Sequence, residues 1–286
     1  MILIADGGST KADWILLDKT GEQVFKTRTV GLNPEILSSE LLKSRIQENQ
    51  DLTSCKDNVT NVFFYGAGCG TEKNTLLLKS VFESFFVNAK VDVKEDTFAA
   101  VYAVTTKPGI VCILGTGSNS CYFDGEKVDV RIPSLGYILM DEASGNYFGK
   151  KLIRDYYYHK MPKDIAAKFE TQFNLEADTI KRNIYKEQNP NAFLAQFAEF
   201  IFKNERNVYF NKVLTKGIKE FFENRIIPFK ESGQVPVHFV GSIAYFAQDI
   251  IKDVAHYYLV ELGDIIRRPI DGLITYHRNQ LKLEKI

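Results

Sequence analysis

The stretch MILIADGGSTKADWILLD, residues 1–18, decides the fold of this chain. Ile2–Ala5 predicts a short buried strand, and Ala12–Asp18 predicts a second one. The segment between them, residues 6–11, leaves no room for a helix and therefore predicts a tight turn. Glycines let a backbone approach a ligand, and successive N–H groups with Ser or Thr hydroxyls cradle phosphate oxygens. An ordinary hairpin turn also favours paired glycines, so this segment alone leaves both interpretations open.

The composition is that of a globular protein. The 286 residues are 45% hydrophobic and 25% charged, which suits one large domain or two of ordinary size. Lys plus Arg and Asp plus Glu balance at 36 each, which argues against nucleic acid or an anionic membrane as a partner. We expect no membrane span and no signal peptide. The four cysteines lack C-x-x-C pairing and predict reduced thiols in a cytoplasmic protein, without a zinc or iron–sulfur site.

The element pattern occurs twice along the chain. In the first copy, the hairpin is followed by strands at Gln23–Val30, Asn61–Tyr65 and Lys90–Val93 and by helices near Ser38–Gln50, Glu72–Phe86 and Thr97–Val104. In the second copy, strands are predicted at Gly109–Leu114, Ser120–Phe123, Lys127–Ile132, Val237–Val240 and Tyr257–Leu262, and helices over Glu142–Arg225, Tyr245–Val254 and Gly272–Arg278. We interpret this as an internal duplication with helices inserted in the second copy.

Each copy breaks its first strand at a glycine turn, at residues 6–11 and at residues 115–118. A duplication of this kind builds two α/β lobes across a cleft, so we expect the two turns to face one another. Two turns at matching positions favour phosphate binding over ordinary hairpins. We expect an N-terminal lobe at 1–107 and a C-terminal lobe at 108–286. The helical insert would span about 146–235, and a final helix, about 272–286, would pack back on the first lobe.

Six short motifs, taken in this order, carry a family likeness. They are D-G-G-S-T-K at 6–11, G-L-N-P at 31–34, E-D-T-F-A-A at 95–100, L-G-T-G-S-N at 114–119, G-Y-I-L-M-D-E-A-S-G at 136–145 and V-G-S-I-A at 240–244. The chain resembles the sugar kinase, Hsp70 and actin superfamily of ATPases, and within it the N-acetylglucosamine kinase branch grouped with the BadF/BadG/BcrA/BcrD ATPase family. The resemblance implies duplicated actin-like (ribonuclease H-like) α/β lobes, each a five-stranded mixed sheet with flanking helices, and an active site between the lobes.

The resemblance implies that ATP and Mg²⁺ are the cofactors and that the first turn handles the terminal phosphates. Asp6 would hold Mg²⁺ through water, since Mg²⁺ favours one or two carboxylates and retains waters. Without the resemblance, Asp6 is a turn residue that bonds its own backbone. The motif at 240–244 would contact adenosine, although a strand–glycine–helix junction also arises from packing alone. The ATP-binding set implied is Gly7, Gly8, Ser9, Thr10, Lys11, Gly115, Thr116, Gly241 and Ser242.

Asp96 is the candidate catalytic residue. It lies where a predicted strand ends and a helix begins, so a plain helix cap is the alternative interpretation. The resemblance makes Asp96 the base that takes the proton from the sugar's 6-hydroxyl as that oxygen attacks the γ-phosphate. A helix N-terminus favours the ionised carboxylate, which suits a base. The two roles do not exclude each other.

The resemblance also implies which residues bind the sugar. Asn offers a donor and an acceptor, and a carboxylate accepts from neighbouring hydroxyls, so these side chains suit a polyol. Asn33 is equally well an ordinary loop residue before Pro34, and Glu142 is either a sugar contact or a solvated helix start. The sugar-binding set implied is Asn33, Gly117, Ser118, Asn119 and Asp141.

The function implied is ATP-dependent phosphorylation of a small amino sugar, N-acetylglucosamine first, at its 6-hydroxyl. The same mechanism on glucosamine or N-acetylmuramic acid is one alternative. An ATPase that activates a reductase or dehydratase through an iron–sulfur cluster is another, which the cysteine positions disfavour. The resemblance leaves a homodimer open. The aromatic face around Phe193, Phe197 and Ile201 is explained better by core packing or a subunit contact than by base stacking. No role follows for Cys69 or for the insert.

Overall fold

The structure is a computed structural model that describes residues 1–8, 11–187 and 189–283, with the side chains of 281–283 left out. The chain divides into two compact units. Unit 1 consists of Met1–Val104 together with the chain from Pro269 onward, and unit 2 consists of Thr105–Arg268. Each unit is described by itself below.

The strands, in chain order, are β1 (Ile2–Gly7), β2 (Lys11–Leu17), β3 (Gln23–Val30), β4 (Asn61–Gly66), β5 (Lys90–Glu95), β6 (Gly109–Leu114), β7 (Ser118–Phe123), β8 (Val128–Asp129), β9 (Val237–Val240) and β10 (Leu262–Ile266). The helices are α1 (Ser39–Gln47), α2 (Gln50–Cys55), α3 (Glu72–Phe85), α4 (Asp96–Val104), α5 (Gly145–Tyr157), α6 (Lys163–Gln172), α7 (Ala177–Tyr185), α8 (Pro190–Lys203), α9 (Val208–Arg225), α10 (Ser242–Phe246), α11 (Gln248–Tyr257) and α12 (Pro269–Leu283). In the part of the chain that the structure describes, no helix combines the length and apolarity needed to cross a membrane.

Each unit holds one five-stranded mixed sheet with the same topology. The strand order is β3-β2-β1-β4-β5 in unit 1 and β8-β7-β6-β9-β10 in unit 2. In unit 1, β1 pairs antiparallel with β2 and parallel with β4. In unit 2, β6 pairs antiparallel with β7 and parallel with β9 in the same way. The repeat confirms the predicted duplication and the predicted α/β fold class of two five-stranded sheets with flanking helices.

The opening strand of unit 1 is apolar at every position from Ile2 to Ala5 because both faces of its sheet are covered. Leu3 packs in a core with Trp14 and Phe82, on the face that carries α3. Ile4 packs in a second core with Ile270, on the face that carries α4 and α12. Alternate residues of one strand therefore enter two cores, and a near-continuous hydrophobic run results.

The helical insert of unit 2 forms most of that unit's core. The aromatic face predicted on α8 packs inward, with Phe197, Phe200 and Ile201 at most 1% exposed. A Cβ at Gly149 of α5 would overlap the Leu194 backbone of α8, so glycine is required for this close helix contact. Core packing therefore accounts for these aromatic side chains.

Four sequence predictions differ from the structure. The helix predicted at 38–50 is two helices, because Asn49 caps α2 through its side chain. The strand predicted at 127–132 shortens to Val128–Asp129, and Arg131 beyond it pairs with Glu231. The helix predicted at Tyr245–Val254 is interrupted at Ala247, between α10 and α11. The continuous helical stretch is five helices, α5 to α9.

The strand predicted at Tyr257–Leu262 is also wrong. Tyr257 ends α11, and the Tyr258 N–H donates to the Val254 carbonyl, so the helix closes there. The Tyr258 ring stacks on Phe222 in the core, which overrides its preference for strands. The chain turns at Leu259, with φ of 56°, and the strand begins only at Leu262.

Candidate active site

The carboxyl ends of the parallel strands in unit 1 meet at one edge of the sheet. Gly7 at the end of β1 pairs with Gly66 at the end of β4, and Gly66 pairs with Glu95 at the end of β5. Asp6 lies one residue before Gly7, and Asp96 directly follows Glu95 as the first residue of α4. The structure therefore gathers Asp6 and Asp96, the predicted metal-binding and catalytic residues, at the same sheet edge.

Carboxylates crowd one another at this edge. Burial raises the pKa of Asp6 to about 7, with further raising by the charges of Asp96 and Asp13 and a partial offset from Lys11. Burial also raises the pKa of Asp96 to about 7, and the charge of Glu95 raises it further. The backbone N–H groups of Asp96 and Thr97 oppose this by donating to the Asp96 carboxylate. Asp96 thus accepts bonds at a helix N-terminus and also carries a pKa suited to proton transfer near neutrality.

The donor set at this edge fits Mg²⁺. A Mg²⁺ ion takes one or two carboxylates and completes its shell with waters and phosphate oxygens. Burial is the main cause of the raised pKa of the Asp6 carboxyl, and the negative charges of Asp96 and Asp13 add to it. A divalent cation beside Asp6 would offset both effects by stabilising the ionised carboxylate. Within the described ranges, no group of three or more His, Cys, Asp or Glu side chains is arranged to hold a metal ion by itself.

The two glycines of the first turn differ in their surroundings. A Cβ at Gly7 would overlap the Phe64 ring, so packing against Phe64 already requires glycine there. Among the described residues, a Cβ at Gly8 would approach only the Lys11 carbonyl oxygen, at 3.4 Å. The Gly8 N–H donates to that same oxygen at 2.8 Å. Ser9 and Thr10, predicted to bind phosphate, lie outside the described residues.

Asn33 lies against the loop that follows β4. Its Oδ1 accepts from the Glu35 N–H at 2.9 Å, and a Cβ at Gly68 would overlap its amide group. Gly68 also has φ of 82°, so only glycine suits this position. The Asn74 amide donates to the Gly68 carbonyl at 3.0 Å and to the Glu35 carboxylate, which ties the two loops together. Sequence reasoning did not find Gly68, Asn74 or Glu35, and the A-G-C-G turn at 67–70 was the available signal.

Cys69 lies in the same loop and is buried. Burial raises the pKa of its thiol to about 12, and the negative charges of Asp96 and Glu95 raise it further. A thiol with such a pKa stays protonated near neutrality and is a poor nucleophile or metal ligand. Its place beside the two carboxylates is explained by packing.

In unit 2, the buried carboxylate of Asp141 joins the second glycine turn to α5. It accepts from the Ser118 N–H at 3.2 Å and from the Asn146 amide at 2.8 Å. A Cβ at Gly117 would lie 2.9 Å from Asp141 Oδ2, so glycine admits the carboxylate. Asp141 has φ of 68°, and Ser144 accepts from the Tyr147 N–H to cap α5. The predicted sugar-binding residues Gly117, Ser118 and Asp141 therefore form one cluster, with Asn146 as a member that the sequence did not identify.

Three polar side chains in or beside this cluster differ in their partners. The Ser118 hydroxyl is buried and, among the described residues, has no hydrogen-bond partner. Asn119 lies one residue further along β7, half-buried, with its Oδ1 accepting from the Ser120 N–H at 2.9 Å. Glu142 is not the solvated helix start considered as one alternative, because its side chain is only 14% exposed and lies 3.7 Å from the buried Arg225 guanidinium. The other alternative, a sugar contact, stays a prediction.

The predicted phosphate and adenosine elements of unit 2 are in contact. The Gly115 and Thr116 carbonyls accept from the first two N–H groups of α5, at 2.8 and 3.0 Å. A Cβ at Gly115 would meet no atom of the described residues within 4 Å, so this glycine borders open space in the described structure. Gly241 has φ of 126°, and a Cβ there would overlap the Leu114 carbonyl. Ser242 follows it as the first residue of α10.

Comparisons with known proteins agree with this fold. No family model matches the chain. A curated N-acetyl-D-glucosamine kinase from Dictyostelium discoideum is 27% identical over 164 residues, which cover 52% of this chain and 51% of that protein. The match thus spans about half the length of the curated relative.

Two solved structures extend the comparison. A candidate N-acetylglucosamine kinase from Porphyromonas gingivalis is 31% identical with a TM-score of 0.92, covering 98% of this chain and 99% of the other. A ROK family glucokinase from Streptomyces griseus, solved with glucose and AMPPNP, is 16% identical with a TM-score of 0.59, covering 96% of this chain and 97% of the other. At 16% identity, the similarity to the glucokinase shows that the two chains share a fold and does not show a shared activity.

Proposed function

The chain belongs to the N-acetylglucosamine kinase-like proteins of the sugar kinase, Hsp70 and actin superfamily, and on that premise we propose that it transfers the γ-phosphoryl group of ATP to the 6-hydroxyl of N-acetylglucosamine. The observation that carries the proposal is the position of Asp96 at the edge of the first sheet, beside Asp6, with a pKa near neutrality. Phosphoryl transfer requires positioning, charge neutralisation and a group that orients the attacking hydroxyl.

Asp96 acts as the base in this proposal. Its carboxylate accepts the proton of the 6-hydroxyl as that oxygen attacks phosphorus and the bond to the leaving ADP oxygen breaks. A base with a pKa of about 7 combines a useful ionised fraction with a strong drive to take the proton. The N–H groups at the start of α4 hold the carboxylate in place for this step.

ATP is assigned to the two glycine turns and to Gly241 and Ser242. Gly8 and Gly115 leave their Cα positions open, which suits a backbone that approaches phosphate oxygens. Asp6 would hold Mg²⁺ through water, and the ion would neutralise charge on the phosphates. Lys11 begins β2 directly after this turn and offers a cation to the same charges.

The amino sugar is assigned to Asn33 and to the cluster around Asp141. The Ser118 hydroxyl supports this assignment because it is buried without a partner in the described structure, and a sugar hydroxyl would satisfy it. Asp141 is held by two donors before any ligand arrives, so little rearrangement is needed on binding. Glucosamine and N-acetylmuramic acid stay as alternative substrates of the same mechanism.

The activator alternative receives less support. An iron–sulfur cluster needs thiolate ligands. Burial raises the pKa of Cys69 and of Cys112, and all four cysteines are buried. The homodimer stays a prediction from the resemblance, to be tested by light scattering. The cytoplasmic location stays a prediction from the cysteine pattern, to be tested by cell fractionation.

The test is an ADP-release assay across a panel of amino sugars with wild type, Asp96→Asn and Asp92→Asn. We expect sugar-dependent turnover that falls by about 10²–10⁴-fold in Asp96→Asn, because a positioned base contributes that much. Asp92 lies on β5, the strand that precedes Asp96, and pairs with Lys94 at 3.0 Å. Asp92→Asn therefore controls for loss of a nearby carboxylate, and we expect it to keep its turnover. ADP release that ignores every sugar contradicts the proposal, and full turnover in Asp96→Asn removes Asp96 from its role.

A further inference from the structure

Helices α5 and α9 of unit 2 border a cavity that the proposed function does not use. Its volume is about 390 Å³, which lies within the range of small-molecule sites, roughly 300–1,000 Å³. The cations that line it come from three places. Lys150, Lys151 and Arg154 belong to α5, Lys216 belongs to α9, and Lys160 lies just beyond the end of α5.

The cavity carries an excess of positive charge, although the whole chain is balanced at 36 basic and 36 acidic residues. Its lining includes two carboxylates, and both are already engaged. Asp155 pairs with Lys151 and accepts from the Tyr209 hydroxyl at 2.9 Å. Glu220 accepts from the Tyr147 hydroxyl at 2.6 Å. Three positive charges are therefore left without a matching carboxylate in the lining.

Of the five cations in the lining, only Lys151 has an ion-pair partner within residues 1–8, 11–187 and 189–283, and Lys150, Arg154, Lys160 and Lys216 form no ion pair there. Arg154 lies in the last turn of α5, where a cation favours the helix dipole. Lys216 lies in the middle of α9, so the same explanation does not apply to it. Burial lowers the pKa of Lys150, which donates to the Tyr137 carbonyl, and Arg154 lowers it further while the charges of Asp141 and Glu142 oppose the change.

We propose that this cavity binds a small phosphorylated anion, with Arg154 and Lys216 as its main ligands. Arg presents a planar set of donors that matches phosphate oxygens, and Lys adds a point charge. The cations lie on two helices around a concave space rather than along one flat face, which favours a compact ligand. An anion there would also relieve the repulsion between Lys150 and Arg154.

The cavity is connected to Asp141 through α5 and through the segment before Asp141. The consequence for sugar binding rests on the proposed function. Asn146, which donates to Asp141, lies on the same helix as Lys150 and Arg154. Lys150 also bonds the Tyr137 carbonyl in the segment that leads to Asp141. An anion bound by Lys150 and Arg154 would shift α5 and with it the position of Asp141. Because Asp141 is assigned to sugar binding, we expect the anion to change the sugar's KM more than kcat.

The test measures acetylation rates of individual lysines by mass spectrometry at physiological salt, where weak surface attraction is screened. The probes are inorganic phosphate and N-acetylglucosamine 6-phosphate, which separate a free anion from a phosphorylated sugar. We expect both probes to slow labelling of Lys160 and Lys216 severalfold while Lys252 is unaffected. The probe that protects at the lower concentration shows whether the site prefers a free anion or a phosphorylated sugar. Lys252 lies on α11 and is exposed, so it reports general charge effects.

Variants separate a built site from general attraction. In Arg154→Ala we expect the probe concentration for half-protection to rise about tenfold, a loss of roughly 1.4 kcal/mol. Arg182→Ala removes another exposed arginine of unit 2, on α7, and keeps the protection. Equal protection of Lys252, equal losses in both variants, or no protection at all overturns the proposal. The labelling result is independent of turnover, so a protein that fails as a kinase can still show the site, and an active kinase without protection lacks it.

Discussion

The Asn146 amide donates to Oδ2 of Asp141 at 2.8 Å, and both side chains are buried, with exposed fractions of 0% and 5%. Asn146 also accepts from the Ser144 hydroxyl at 3.0 Å, so its amide orientation is fixed from the other end. The Asp141 carboxylate has one further donor, the Ser118 N–H. Asn146 is therefore a positioning residue for a carboxylate that we assign to the sugar.

We expect Asn146→Ala to raise the sugar's KM about tenfold or more with a smaller change in kcat. Loss of a donor to a buried charged group costs roughly 1.5–3 kcal/mol, and Asp141 would lose its fixed orientation. Steady-state kinetics at varied sugar concentration measures this. Asn183→Ala is the control, because Asn183 makes a comparable side-chain bond, to the Thr179 carbonyl at 2.8 Å, in the helical insert. Equal effects in both variants would show a general loss of stability instead.

The pH dependence of turnover reports the state of Asp96. Its pKa of about 7 predicts that kcat falls as the pH drops below about 7, because the protonated carboxyl cannot accept the sugar's proton. Burial is the main cause of this raised pKa, and the charge of Glu95 raises it further. Asp6, whose pKa is also raised to about 7, lies at the same sheet edge. Glu95→Gln removes one negative charge, so we expect the acidic limb of the kcat profile to move to lower pH.

Asp92→Asn serves as the control for this shift, since Asp92 lies on the same strand as Glu95 and its charge is not among the causes of the raised pKa of Asp96. We expect the limb of Asp92→Asn to coincide with that of wild type. A limb that stays in place in Glu95→Gln would mean that another group, such as Asp6, controls the profile.

The same raised pKa values predict a stability effect of opposite sense to that of an ordinary carboxylate. Asp6 and Asp96 titrate near 7 in the folded chain and near 3.8 when exposed. Between these values the folded state binds more protons, so their contribution to stability grows as the pH falls from about 7 to about 4. We therefore expect Asp96→Asn to raise Tm at pH 8, where the wild-type carboxyl is charged, and to raise it less at pH 5. Thermal unfolding at both values measures this, and a lower Tm at pH 8 would contradict it.

The fold could be predicted from sequence where local pattern and global topology agree. The run Ile2–Ala5, the glycine turn after it and the same arrangement from Gly109 were enough to predict a duplicated sheet. Tyr257 and Tyr258 misled the prediction because tyrosine favours strands, whereas the Tyr258 ring is held at the end of α11 by stacking on Phe222. That contact joins residues far apart in sequence, which periodicity does not report.

The residues of the candidate site also fall into those that the sequence could predict and those that it could not. Asp6 and Asp96 were predicted because each lies in a motif that carries the family resemblance, D-G-G-S-T-K at 6–11 and E-D-T-F-A-A at 95–100. From their positions alone, a turn residue and a helix cap explained them equally well. Asn146 and Gly68 were missed because their roles depend on partners elsewhere in the chain, Asp141 and Asn33. A glycine turn can be recognised in the sequence, but the sequence does not show which side chain from elsewhere in the chain packs against that glycine.

Replacing Gly68 tests whether the contact between this glycine and the Asn33 amide matters for sugar binding. Alanine there meets two obstacles, a φ of 82° and overlap with the Asn33 amide, whereas Gly233 has a φ of 81° with nothing within 4 Å of a Cβ. Strain at such a φ costs on the order of 1–3 kcal/mol at either position. We expect Gly68→Ala to raise the sugar's KM as Asn33 moves, and Gly233→Ala to lower Tm without changing KM. If the sugar's KM is the same in Gly68→Ala and Gly233→Ala, Asn33 does not contribute to sugar binding.

The two glycines of the first turn should fail in different ways when replaced by alanine. A Cβ at Gly7 would overlap the Phe64 ring, which is fully buried, so Gly7→Ala forces a core side chain aside. Overpacking of this kind costs typically 1–3 kcal/mol, and we expect a lower Tm. In the part of the chain that the structure describes, a Cβ at Gly8 meets only the Lys11 carbonyl oxygen, at 3.4 Å. We therefore expect Gly8→Ala to keep its Tm and instead to raise the KM for ATP. Thermal unfolding and ATP-dependent kinetics on both variants separate these outcomes. An unchanged KM for ATP in a well-folded Gly8→Ala would indicate that the turn is an ordinary hairpin.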